Sequence, residues 1–134
     1  MQKIIISILH YNSNKDTLAC LDSLMSSDLT GLEILTYVLD NASRETLDLN
    51  TDNYKKIHLS LLKSADNLGF TGGHNFVFEN VRNEVFDYFL LLNNDSLGER
   101  EFLRQMTSAM DDKKVGAVVP KIYFTKGREF HGHR

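Results

Sequence analysis

The sequence predicts an α/β fold, a three-layer α/β/α sandwich around a mostly parallel sheet. Three observations carry that expectation. Short apolar runs alternate with segments of helical period along the chain, the pattern of strand, helix and strand joined by right-handed crossovers. Two of the runs, Ile4 to Leu9 and Tyr88 to Leu92, are almost unbroken rather than alternating, as strands covered on both faces are. Three runs stop abruptly at polar clusters, His10-Tyr11-Asn12, Asp40-Asn41 and Asn93-Asn94-Asp95. In a parallel sheet such strand ends share one rim, where open α/β sheets bind ligands.

Taken in order, Ile4 to Leu9 is a first, buried strand. Ser13 or Asn14 can cap a helix from about Lys15 to Ser27, whose apolar face is Leu18, Leu21, Leu24 and Met25. Cys20 lies beside that face and reads as packing. Asp28 to Gly31 is a turn. Glu33 to Leu39 is a second strand, which ends at Asp40-Asn41-Ala42-Ser43. A short helix or turn is expected over Ser43 to Leu49, then a polar loop over Asn50 to Tyr54. Ile57 to Leu62 is a third strand. Asn67-Leu-Gly-Phe-Thr-Gly-Gly-His-Asn75 is a glycine-rich loop opening a helix to about Asn83, with Phe76, Val77 and Val81 buried. After the fourth strand at Tyr88, Ser96-Leu97-Gly98-Glu99 has capping-box spacing. Phe102, Leu103, Met106 and Met110 line the helix that follows. Val115 to Val119 is a fifth strand, extended by Ile122 to Phe124. The tail from Thr125 shows no pattern. Together these elements describe a Rossmann-like sandwich.

The chain has 134 residues, of which 42% are hydrophobic and 25% charged. That is ordinary globular composition and enough for one domain, 1–134, with a real core. The net charge of −3 offers no basic surplus, so no nucleic-acid partner is expected. No stretch has the roughly 18 apolar residues of a membrane span. The single cysteine cannot form an intrachain disulfide, so a reducing compartment is the simpler context. A cytoplasmic domain is expected, with attachment at the inner face of a membrane left open.

The rim residues are the parts of a nucleoside-diphosphate site. An aromatic ring such as Tyr11 can stack on a base. A carboxylate such as Asp40 can accept from a base N–H or from ribose hydroxyls. A second carboxylate, Asp95, can hold a divalent cation that bridges phosphates. The Gly72-Gly73 pair near a helix start would let backbone N–H groups approach an anion. Each residue also has a plainer reading. Tyr11 can be an ordinary buried tyrosine, Asp40 a turn former, Asn94, Asp95 and Ser96 turn and cap residues, and the glycines a loop. The loop is neither a Walker motif nor a dinucleotide fingerprint, since no Gly-Lys-Ser/Thr follows and it comes after the third strand.

Five segments, taken together, resemble the nucleotide-sugar-binding part of family 2 glycosyltransferases of the GT-A fold, in particular the bacterial rhamnosyltransferase-like group. They are Ile6-Ser-Ile-Leu-His-Tyr-Asn12, Val38-Leu-Asp-Asn-Ala-Ser43, Asn67 to Asn75, Leu90-Leu-Leu-Asn-Asn-Asp95 and Val115-Gly-Ala-Val-Val-Pro-Lys-Ile122. The resemblance implies that Tyr11 and Asn12 pack on the nucleobase, and that Asp40 and Asn41 read base or ribose. It implies that Asn67, Gly72, Gly73 and Asn75 lie near the diphosphate and sugar. Asp95 matches the last acid of the D-x-D motif, a ligand of Mg²⁺ or Mn²⁺, with Asn93 in place of the first acid and Asn94 between them, both expected among the donor-binding residues. An uncharged Asn93 lowers the expected metal affinity.

The implied activity is inverting transfer from a UDP- or dTDP-linked sugar, such as dTDP-rhamnose, to a glycan or lipid-linked acceptor, and at a further remove the building of a surface polysaccharide. Family members place the general base in a later part of the domain, and this chain offers no candidate. It is therefore expected to hold the donor half and to be inactive in transfer on its own. An incomplete sheet edge would favour self-association into a homo-oligomer. The alternative is a non-catalytic nucleotide-binding or interaction module. A nucleotidyltransferase would need a basic glycine-rich loop after the first strand, and a receiver domain would need acids there. His10 to Asn14 supplies neither. His131 and His133 could chelate a metal, although a terminal pair of this kind is more often solvated.

Overall fold

The structure, a computed structural model, describes residues 1–125 and 128–129. The His131/His133 pair lies outside the described residues. Four strands form a parallel sheet: β1 (Gln2–His10), β2 (Leu32–Asp40), β3 (Leu59–Lys63) and β4 (Tyr88–Asn93), in the order β3-β2-β1-β4. The helices are α1 (Asn14–Met25), α2 (Gly69–Val81) and α3 (Phe102–Ala109), with a 3-10 segment at Thr51–Ile57. The α/β sandwich expected from the sequence is thus the fold observed.

The alternation of side chains along β1 builds both layers. Ile4, Ile6 and Ile8 join Ile34 and Val38 of β2 in one core with Cys20, Leu21 and Leu24 of α1, Tyr54 and Ile57 of the 3-10 segment, and Leu103 of α3. The opposite face of β1 carries Ile5, Ser7 and Leu9. There α2 packs, with Ser7 bonded to His74 and Leu9 against Gly73. Each fully buried Ile or Leu contributes about 1.5–3 kcal/mol of apolar burial, and Ile5, Ile6 and Ile8 are all 0% exposed.

Several local expectations are corrected. The third strand begins at Leu59, because Ile57 closes the 3-10 segment and His58 takes a left-handed φ of 41°. Ser43 to Leu49 is not helical. The helical turn comes later, at Thr51–Ile57, where Asn50 accepts from the Asp52 N–H and caps it. The Ser96–Glu99 capping box is unused, since α3 starts at Phe102 without a side-chain cap. Gly98 instead lies under the Phe102 ring, so close that a Cβ would stand 2.3 Å from Cε1, and its N–H donates to Ser23.

Val115 to Val119 form no ladder. These residues are largely exposed (Val119 82%), and no described strand runs alongside to take their backbone groups. The strand lies further on, at β5 (Tyr123–Thr125), paired antiparallel with β6 (Arg128–Glu129). The unbroken apolar run of β4 predicts cover on both faces. It is half-buried, with Leu91 49% exposed, because it is an edge strand and α2 packs mainly over β1. Among the described residues no helix is long and apolar enough to cross a membrane.

Candidate functional site

Parallel register aligns the strand ends on one rim. His10 pairs with Asp40, Asp40 with Lys63, and Leu9 with Asn93. β1 therefore stands between the Asp40 end of β2 and the Asn93-Asn94-Asp95 end of β4. Tyr11, just past β1, is 47% exposed and presents its ring at this rim. Asn12 follows in a left-handed conformation (φ 55°), a region Asn tolerates better than most residues. Its N–H donates to Ser43 Oγ and its Oδ1 accepts from the Arg44 N–H at 2.8 Å, which ties the β1 exit to the loop after β2. Asp40 is 9% exposed, and its Oδ1 accepts from the Ser43 N–H at 2.9 Å.

Asn41 is consumed by structure. Its Oδ1 accepts from the Leu68 N–H at 2.8 Å and from Ser64 Oγ, while its Nδ2 donates to Asn67 Oδ1 and to the Gly69 carbonyl. Asn67 Oδ1 also accepts from the Gly69 N–H. The two asparagines thus pin the start of α2 to the end of β2, and Asn41 has little bonding capacity left for a ligand.

The diglycine lies inside α2 rather than ahead of it. Gly72 packs on Leu68 Cβ, and a Cβ on Gly73 would stand 2.9 Å from both methyls of Leu9. Its lack of a side chain serves the approach of helix to strand. Asn75, in the second turn, is exposed and makes no side-chain hydrogen bond among the described residues.

At the end of β4 the Ser96 N–H donates to the Asn93 carbonyl at 3.2 Å, closing a β-turn with Asn94 and Asp95 at its centre. Asp95 is exposed, and its carboxylate makes no hydrogen bond or ion pair among the described residues. Asn94 turns inward, its Nδ2 donating to Thr17 Oγ1 at 3.0 Å. Burial and then the charge of Asp95 push the Cys20 thiol up to about 12, so Cys20 is inert packing, with a long contact to the Asn93 carbonyl.

Two residues of this neighbourhood escape a reading by motif, His10 and Thr17. His10 is fully buried, with Nδ1 2.8 Å from Thr17 Oγ1. Burial lowers its pKa, opposed in part by the charge of Asp40. Periodicity offers a signal for both. His10 continues the inward series Ile4, Ile6, Ile8, and Thr17 continues the stripe of Cys20, Leu21 and Leu24. Each is a polar residue on an apolar face.

No group of three or more His, Cys, Asp or Glu that could hold a metal occurs among the described residues. Asp95 alone offers an unengaged carboxylate on the turn. That donor set suits a cation of the Mg²⁺ type, which takes one or two protein carboxylates and completes its shell with substrate phosphates and water.

The family model described as glycosyl transferase family 2 matches residues 5–134. No curated protein matches the chain by sequence. Among solved structures, it is similar to a mannosyltransferase, PcManGT from Pyrobaculum calidifontis, in complex with GDP-Man and Mn²⁺. The TM-score is 0.70 and the identity 19%, over 84% of this chain and 33% of that one. It is also similar to S. aureus TarS 1-349, alone (TM-score 0.64) and in complex with UDP-GlcNAc (0.65), each at 22% identity over 93% of this chain. The chain spans 40% and 38% of those two TarS chains. At these identities the likeness carries the fold, a GT-A-type sandwich.

Proposed function

Because the chain belongs to glycosyl transferase family 2, we propose that it forms the donor-binding part of an enzyme moving a sugar, with inversion, from a nucleoside diphosphate to a glycan or lipid-linked hydroxyl. The observation that carries this reading is the rim itself. An exposed aromatic and an anchored carboxylate (Tyr11 and Asp40) stand on one side of β1's end, and an unengaged carboxylate (Asp95) on the other. Tyr11 offers a face for the base, and Asp40, held by the Ser43 N–H, offers its remaining lone pairs to a base N–H or ribose hydroxyl. Asn12 holds the loop that carries Ser43.

Asp95 would hold Mg²⁺ or Mn²⁺, which neutralises charge on a departing diphosphate when bound. Asn93 adds an amide oxygen without charge. The mannosyltransferase neighbour, in complex with GDP-Man and Mn²⁺, supports cation use. The TarS complexes with UDP and UDP-GlcNAc support a nucleoside-diphosphate partner. The rhamnosyl style of the motifs favours a dTDP- or UDP-linked donor.

Calorimetric titration with UDP, dTDP and GDP, in Mn²⁺ and then in EDTA, tests the reading. Binding should require the cation. Asp95→Ala should lose at least about tenfold in affinity, the scale of one charge-assisted contact, and Asp40→Ala should blur the choice among nucleosides. Equal binding in EDTA, or an Asp95→Ala chain that binds as the parent does, would reject the site.

A further inference from the structure

The centre of the rim is built on a buried chain of hydrogen bonds that no motif announces. Asn94 Nδ2 donates to Thr17 Oγ1 at 3.0 Å, and Thr17 Oγ1 lies 2.8 Å from His10 Nδ1. Thr17 and His10 are both 0% exposed. One direction leaves the fewest groups unsatisfied. The Thr17 oxygen already accepts from Asn94, and its own O–H has no other acceptor among the described residues, so it donates to His10 Nδ1. A histidine that accepts at Nδ1 is the neutral tautomer protonated at Nε2. That Nε2 is buried and has no partner among the described residues, a cost of roughly 1–3 kcal/mol by itself. A histidine held there at such a cost, where an apolar residue would continue the stripe of Ile4, Ile6 and Ile8, calls for a compensating role.

We propose that His10 is a positioning residue. Through Thr17 it fixes the amide of Asn94, and with it the turn that presents Asp95. The inference rests on the reading of Asp95 as the cation and diphosphate ligand. The chain of bonds crosses from β1 through the first turn of α1 to the β4 turn, so it ties three elements together at the rim. Asn94 then acts from behind the site rather than on the donor, leaving Asp95 as the carboxylate of this turn that faces solvent. Thr17 both accepts and donates. Serine can replace it in that role, and valine, of nearly the same shape, cannot. Asparagine at position 10 keeps an acceptor near the Nδ1 position, and leucine removes it.

Two measurements on the full chain test this. The first needs no nucleotide. Long-range ¹H–¹⁵N spectra should show His10 protonated at Nε2 only. The Asn94 side-chain amide should exchange slowly with solvent in the parent and roughly three- to tenfold faster in Thr17→Val, the loss of one ordinary hydrogen bond. A His10 protonated at Nδ1, or an Asn94 amide indifferent to Thr17→Val, would overturn the relay. The second is titration with UDP and Mn²⁺ alongside the unfolding midpoint of each variant. Thr17→Val and His10→Leu should weaken cation-dependent binding by roughly three- to tenfold, while Thr17→Ser and His10→Asn stay near the parent. Parent-like binding by Thr17→Val, or equal loss in Val and Ser variants, would reduce the relay to packing. A parent chain that binds no nucleotide under any condition defeats the donor-site reading, and the spectra still decide the relay.

Discussion

At the scale of single residues, β1 and β2 carry buried polar groups that an apolar core would not choose. Thr36 is 0% exposed and its Oγ1 has no partner among the described residues, within the face that holds Ile34 and Val38. Thr36→Val replaces an orphaned hydroxyl with a methyl of like shape and should stabilise the chain by roughly 1 kcal/mol, read as a rise in urea midpoint. On the other face, His74 Nδ1 lies 2.8 Å from Ser7 Oγ, with Phe70 edge-on to its ring. Burial lowers the pKa of His74, and of His10 despite Asp40, below the ordinary 6.5. The unfolded chain therefore takes up these protons first. Their contribution is fully present above about pH 6.5 and is withdrawn as pH falls through the lower folded values. The urea midpoint should drop between pH 7 and pH 5, and His74→Asn should flatten that slope. The position of the candidate site was legible at this scale, since Tyr11 and Asp95 are exposed at the strand ends where an α/β rim is expected. Asn41 and Asn94 were legible as rim residues but not as ties. An asparagine's sequence position does not tell whether its amide meets a ligand or the backbone behind it.

At the scale of elements, the contact of α2 with β1 depends on Gly73. A helix interior ordinarily loses about 1 kcal/mol by carrying Gly instead of Ala, and here the loss keeps the Leu9 methyls from a clash. Gly73→Ala should be nearly neutral, propensity offsetting the shift of one flexible side chain. Gly73→Val should cost about 1–3 kcal/mol by overpacking, and a Leu9→Ala background should recover part of it. The sheet strands and the three helices could be read from periodicity because each buries a face that repeats. The failures are equally physical. The turn at Thr51–Ile57 is set by Asn50 capping and by burial of Tyr54 and Ile57, not by an apolar period. The Ser96–Glu99 signature fails because Gly98 is held against Phe102 and Ser23. Val115 to Val119 have strand composition but no described strand beside them, and a strand exists only with a neighbour.

At the scale of the whole molecule, β4 is the edge strand beside β1 among the described residues, and Leu91 on it and Phe78, which packs against Phe89, are 49% and 42% exposed. An edge with apolar side chains beside it is a template for pairing. Sedimentation velocity across a concentration series should show reversible self-association, reduced by Leu91→Lys. A single sharp monomer at every concentration would speak against it. The strand order also governs the time course of folding. β1 is synthesised before both of its partner strands, yet Ile4 pairs with Ile34 on one side and with Tyr88 on the other. No hairpin shortens either search, so every ladder in the main sheet closes a long loop. On the ribosome, the apolar run from Ile4 to Leu9 must wait for the emergence of Tyr88 to Asn93 before its second neighbour exists, and in that interval its second edge stays without a strand to pair with.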